Sequence, residues 1–271
     1  MDLALTDRTA IVTGASRGIG FAIAARLLAE GARVAICGRD AARLDAAAER
    51  LRASGGREAG RAGGAVLAVS ADTSVSADRA RLVNATLERF GRVDILVNNA
   101  GTHVRATVDD MTDAQLQGQL DDKLFGFLGM IRAVLPGMRA RGDGRVVNII
   151  GQATRHPHPD RLPSGIANAA AQAMSKALAD ALARENIRIN TVCPQYIETD
   201  ILAGVIAKEM ADRGLDRASA ASGFTRANVL GRLGTAEEVA DLVAFLVSDR
   251  ADHVSGSSVS IDGGYHRHVF G

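Results

Sequence analysis

A chain of 271 residues that is 47% hydrophobic but only 3% aromatic can fill one large α/β core, built from Ala, Val, Leu and Ile. The formal net charge of +1 argues against nucleic acid or another polyanion as partner, and no apolar run approaches the ~20 residues of a membrane span. The first residues carry no signal-peptide pattern, and Cys37 and Cys193 read as reduced core thiols, so a cytoplasmic protein is expected.

In chain order, the apolar run Thr9-Ala10-Ile11-Val12 reads as a buried strand. It ends in Thr13-Gly14-Ala15-Ser16-Arg17-Gly18-Ile19-Gly20, a glycine turn that opens a helix continuing through Leu28. Such a turn aims unpaired helix N–H groups and the positive dipole end at an anion, usually a pyrophosphate. Further strands are expected near 33–37, 65–70, 94–98, 145–150, 187–193 and 257–261, the first lying near 8–13, with helical patterns between them. Continuous rather than alternating apolar strands indicate a parallel sheet covered on both faces. The expected architecture is one doubly wound, Rossmann-type α/β domain over residues 1–271, with a parallel seven-stranded sheet and the ligand at the strands' carboxyl ends.

The glycine-rich stretch 53–64 reads as a surface loop without an assigned role. Val239, Leu242, Val243 and Leu246 mark a helix face, and Thr235 with Glu238 forms a capping box at its start.

The loop Thr13–Gly20 resembles the TGxxxGIG cofactor loop of the short-chain dehydrogenase/reductase family. Asn98-Asn99-Ala100-Gly101 matches that family's NNAG word, and Gly231–Ala240, Val254-Ser255-Gly256 and Ile261-Asp262-Gly263-Gly264 resemble its last third. The resemblance covers nearly the whole chain. It implies a nicotinamide cofactor held by Gly14, Ser16, Arg17, Gly18, Ile19, Gly20, Arg39, Asp72, Thr73, Asn98, Ala100, Gly101, Lys176, Pro194, Ile197 and Thr199. Gly38 stands where an NAD-selecting enzyme usually has a carboxylate, and Arg39 and Arg17 suit a 2′-phosphate, so NADP(H) is favoured over NAD(H). Asp40 offers a ribose ligand if the alignment slips by a residue or two.

The resemblance also implies a Tyr and a Lys four residues apart on one helix, a Ser on the preceding strand and an Asn on an earlier helix. Lys176 fits the Lys, which puts Gln172 in place of the Tyr. Gly151 stands where a Ser is usual, Lys123 where the Asn is usual, and Gln195 replaces a Gly after Pro194. The two tyrosines, Tyr196 and Tyr265, occupy neither position. Asn168, Gln172 and Lys176 follow i, i+4, i+8 spacing, so one helix face is expected to look at cofactor and substrate. Lys123, pointing inward, would approach Lys176, which lowers one lysine pKa and allows acid, base or Schiff-base chemistry. His103, His156 and His158 are candidate proton carriers near the site mouth, and no metal site is read from their spacing.

Three functions remain open on the sequence: an NADP(H)-dependent oxidoreductase with a non-standard proton donor, a non-redox lysine-assisted enzyme, and a catalytically silent nucleotide-binding subunit paired with an active paralogue. A small-molecule substrate and a homodimer or homotetramer are expected. The helices near 112–139 and 167–185, with small Ala169, Ala170, Ala177 and Ala181, resemble the family's interface pair.

Overall fold

The computed structural model describes residues 2–54 and 65–267; most of the glycine-rich stretch, 55–64, lies outside them. Among the described residues seven strands form, close to the expected spans: β1 (Thr9–Thr13), β2 (Arg33–Gly38), β3 (Val66–Ser70), β4 (Ile95–Asn98), β5 (Gly144–Ile149), β6 (Ile187–Pro194) and β7 (Ser258–Ile261). All pair in parallel in one sheet, ordered β3-β2-β1-β4-β5-β6-β7. The chain winds outward from β1 in both directions, so the order reverses between β1 and β4. The crevice beyond the carboxyl ends of those two strands is where such a sheet binds ligands.

The helices are α1 (Gly18–Ala29), α2 (Ala41–Ser54), α3 (Ser76–Phe90), α4 (Asp113–Leu120), α5 (Gly126–Arg141), α6 (Leu162–Leu182), α7 (Asp200–Arg213), α8 (Arg217–Thr225) and α9 (Ala236–Val247). Side chains of a strand alternate between faces, and here both faces are buried. Ala10, Val12, Val34 and Ile36 pack with α1, α2 and α9. Ile11, Ala35, Cys37 and Leu96 pack with α3, α5 and α6. Cys37 and Cys193 are both buried free thiols, and burial pushes the Cys37 thiol up to about 12. The capping box forms as expected, the Thr235 hydroxyl accepting from the Glu238 N–H and the Glu238 carboxylate from the Thr235 N–H.

One buried cation ties β6 to the end of α9. The Arg188 guanidinium, 5% exposed, donates to the carbonyls of Leu246 (3.1 Å), Ser248 (2.9 Å) and Ala251 (2.8 Å). It satisfies carbonyls that the helix end leaves without partners. Arg188→Met should orphan them and cost about 3 kcal/mol. In thermal unfolding that corresponds to a drop of roughly 6–12 °C; a shift under 2 °C would show that water replaces the guanidinium.

Candidate active site

Thr13 clamps together the loops that follow β1 and β4. Its Oγ accepts from the N–H groups of Asn99 (2.9 Å) and Ala100 (3.0 Å). Gly14 has φ +64°, and a Cβ there would stand 2.8 Å from the Ala100 Cα. Glycine is therefore needed both for the backbone conformation and for the close approach. Beside this junction opens a cavity of about 340 Å³. Of the expected cofactor ligands, Gly14, Ser16, Arg17, Gly18, Ile19, Arg39, Asp72, Thr73, Ala100, Gly101 and Thr199 line it.

Two expected contacts belong to the framework instead. The Asn98 amide is fully buried and donates to Asn148 Oδ1 (2.9 Å), and Asn148 in turn donates to Ser175 Oγ (2.8 Å). It joins β4, β5 and α6 beneath the cavity. Gly20 faces Asn99 Nδ2 and the Gly14 carbonyl, each 2.5 Å from where a Cβ would lie, so it lets the loop fold onto its own helix. Neither residue lines the cavity.

Around the adenine-ribose end, Asp40 is already engaged. Its Oδ1 accepts from the Arg43 N–H (3.0 Å) just before α2, and its other oxygen pairs with the Arg43 guanidinium (3.2 Å). Arg43 joins Arg17 and Arg39 on the cavity wall, a third guanidinium beside Gly38 that sequence reading did not single out.

A second cavity of about 290 Å³ continues from the first, since Ile19, Asn99, Gly101, Thr199 and Ile201 line both. Pro194 and Ile197 lie on its wall. So does Lys123, which sits in a π-helical turn (Asp121–Phe125) between α4 and α5. Such turns reaim a side chain and recur at functional sites. The lysine stem runs past Gly101, where a Cβ would lie 2.5 Å from Lys123 Cε. The ammonium donates to the Ile149 carbonyl (3.3 Å) and lies 5.2 Å from the Phe127 ring centroid. The side chain is half-buried and lines the cavity. Loss of hydration brings its pKa down to about 8, partly countered by Asp122. Desolvation, and no second ammonium, is the cause: Lys176 is elsewhere.

The expected helix face is corrected here. Asn168 lines the second cavity, but Gln172 and Lys176 line a separate one with Arg155, Thr191 and Gly256. Lys176 is exposed and pairs with Asp180 at 2.6 Å. The reason is geometric. A helix following a strand starts at the strand's carboxyl end and runs back along the sheet. Eight residues advance about 12 Å along the axis and turn the side chain through about 80°. Only the first turns of α6 reach the crevice. The pair four residues apart that faces it is Ser164 and Asn168. Ser164 is 3% exposed; its Oγ accepts from the Val104 N–H (3.0 Å) and donates to the Val104 carbonyl (2.9 Å) or to Gln119 Oε1 (2.8 Å). Asn168 Oδ1 is buried without a hydrogen-bond partner, and so is Gln152 Oε1 on the same cavity. Gly151 leaves the space between Asn168 and β5 open, a Cβ there standing 3.2 Å from Asn168 Nδ2.

His103 faces the cavity, whereas His156 stacks edge-on against Tyr265 (5.0 Å) and His158 meets Asp160. No group of three or more His, Cys, Asp or Glu side chains among the described residues could hold a metal ion. Tyr196 was passed over in the sequence, yet it lines the cavity at φ +52° and packs on Phe224 and Tyr265, 5.3 Å from each. Arg105, Gln152, Arg161 and Phe224 were likewise unsignalled. Only their surroundings in space, not their spacing, distinguish them.

The cradle fits a dinucleotide. It combines glycine-only approaches and guanidinium groups in the first cavity with the orphaned amide oxygens of Gln152 and Asn168 on the wall of the second. The family model described as enoyl-(acyl carrier protein) reductase matches residues 14–266. A 2,3-dihydroxy-2,3-dihydro-p-cumate dehydrogenase of Pseudomonas putida is 34% identical over 264 residues, covering 97% of this chain and 95% of the relative. The crystal structure of L-sorbose reductase from Gluconobacter frateurii, complexed with NADPH and L-sorbose, is similar with a TM-score of 0.93 and 30% identity, covering 99% of this chain and 100% of the other. YwfH, an NADPH-dependent reductase involved in bacilysin biosynthesis, aligns with a TM-score of 0.88 and 29% identity over 97% and 99% of the two chains.

Proposed function

Because this chain belongs to the short-chain dehydrogenase/reductase family, we propose that it is an NADP(H)-dependent oxidoreductase acting on a small-molecule carbonyl or alcohol, with Lys123 as its proton-handling group. One observation carries the reading: a lysine with a pKa brought down to about 8 lines the second cavity, its stem against Gly101, which lines both cavities. When bound, the reduced nicotinamide supplies a hydride to the carbonyl carbon. The Lys123 ammonium gives its proton to the carbonyl oxygen as the C=O π pair moves onto it, leaving a neutral amine. In the oxidative direction the neutral amine takes the hydroxyl proton. Asn168 contributes hydrogen bonds but no titrating proton. A panel of ketones and acyl-thioester ketones with NADPH tests this. Tight cofactor binding with no turnover of any of them would favour a silent nucleotide-binding subunit.

The cofactor preference rests on Gly38, Arg17, Arg39 and Arg43, and the two structural neighbours described as NADPH-bound or NADPH-dependent point the same way. NADPH should bind more tightly than NADH in calorimetry. Arg39→Ala should cost NADPH on the order of 1–3 kcal/mol, the scale of a hydrogen bond to a charged group, and leave NADH nearly unchanged. Equal affinities in the native protein would overturn the preference.

A symmetric dimer or tetramer fits the exposed face of α6. Ala169, Ala173 and Ala177 are open to solvent beside Ile166, which is 44% exposed. Small side chains permit close helix approach, and closed symmetric assemblies are the commonest oligomers. Light scattering at micromolar concentration should find no monomer, and Ile166→Asp should shift the population toward it; a native monomer would refute the assembly.

A further inference from the structure

The second cavity is electrostatically one-sided. Among the described residues four basic side chains line it, His103, Arg105, Lys123 and Arg161, and no carboxylate does. Asp160, beside the cavity, is shared between the guanidinium groups of Arg105 and Arg161, so one negative charge faces two positive ones. Asp262 accepts from Gln152 Nε2 (2.8 Å), and Asp122 accepts from the Thr102 N–H (3.0 Å) and hydroxyl (2.7 Å). Arg161 immediately precedes α6, whose positive dipole end adds to the same field. Its Nε is buried without a hydrogen-bond partner, 3.7 Å from Asp160. The His103 imidazole responds to this environment: burial, then Arg161, Arg105 and Lys123, hold its pKa below the ordinary value. The lining also includes the apolar side chains of Ile201, Leu202, Val205 and Phe224.

A cavity lined by cationic and by apolar side chains, with no lining carboxylate among the described residues, selects an amphipathic anion. Guanidinium groups match a carboxylate fork by fork. We propose that the substrate of this site is an organic acid whose carboxylate is held by Arg161 and Arg105, with its hydrocarbon body along Leu202, Val205 and Phe224 and its reacting carbonyl toward Lys123. This names the substrate class for the oxidoreductase reading above and rests on it.

The test uses the full chain and matched pairs: 4-oxopentanoate, 5-oxohexanoate and 6-oxoheptanoate against their methyl esters, with NADPH as reductant. At least one acid should exceed its ester in kcat/KM by roughly tenfold or more, the scale of a lost charged hydrogen bond. In Arg161→Gln that preference should collapse through a raised KM for the acid. Arg105→Gln serves if Arg161→Gln does not fold. Calorimetry with hexanoate and hexanamide, with and without saturating NADP⁺, reads the anion site independently of turnover. Hexanoate should bind and hexanamide should bind at least tenfold more weakly. Esters equal or superior to acids, or equal binding of hexanoate and hexanamide, would overturn the proposal even if NADPH binds and turns over. Absence of NADPH and NADH binding would sink the oxidoreductase reading instead, and selective hexanoate binding would then still stand for the anion site.

Discussion

Lys123→Met should lower turnover of the preferred carbonyl by about 10²–10⁴-fold, the usual contribution of a positioned acid or base, while NADPH still binds. The methionine keeps the stem that passes Gly101 and contacts Phe127 but has no proton to give. The pH profile separates this role from a structural one. Reduction requires the ammonium, so its rate should be level below about pH 8 and fall tenfold per unit above it. Oxidation of the alcohol requires the amine and should rise through the same pH. Lys123→Met should abolish both inflections. Stability moves with the same group. Between about 8 and the ordinary value of 10.5 the unfolded chain holds a proton that the folded chain has released. Native stability therefore gains with pH across that window, and Lys123→Met should remove the gain. A native profile without an inflection near pH 8, together with unchanged turnover in Lys123→Met, would show that another group, with Tyr196 first among the lining residues, carries the proton.

The sheet was legible because buried parallel strands leave a signal that depends on nothing distant. Runs such as Ile95-Leu96-Val97 are apolar on both faces and end in glycine or asparagine. The glycine loop was legible for a related reason: the close approach between Gly14 and Ala100 tolerates no side chain, so the constraint is written into the residue itself. The second cavity left no comparable trace. Arg161, Arg105 and Phe224 come from separate segments and meet only in the folded chain. The position of Lys123 was readable from its distance to Phe125-Gly126, but the cause of its lowered pKa was not. A neighbouring ammonium was expected, and enclosure by protein is what acts.

The α6 register shows where pattern reading misleads. Gln172 and Lys176 offered the expected Lys four residues after a polar group, in an alanine-rich helix that gives no other landmark. Counting back from Ile187, the first residue of β6, against the length of α6 would have marked the first turns as the only part that reaches the crevice. That places Ser164 and Asn168 where the resemblance calls for Tyr and Lys.

This register makes the last prediction. In the Lys123→Met background, Ser164→Tyr with Asn168→Lys should restore carbonyl reduction by roughly 10²-fold, the low end of what a general acid supplies. Gln172→Tyr in the same background should restore none, because that side chain opens into the cavity beside Lys176 and Gly256. The new lysine, one turn from the new phenol, lowers the phenol pKa and orients it. Neither change alone suffices, since groups that act as a unit are non-additive; the double change should exceed the sum of the single ones. Ser164 surrenders its hydrogen bonds to Val104 and Gln119. A stability cost of about 1–3 kcal/mol is expected, so thermal unfolding is measured beside the rates. Adding Gly151→Ser supplies the hydroxyl facing residue 168 and should raise the rate further. Rescue by Gln172→Tyr, with the Ser164 and Asn168 pair silent and folded, would place the reacting carbonyl two turns farther along α6 than the cavity does.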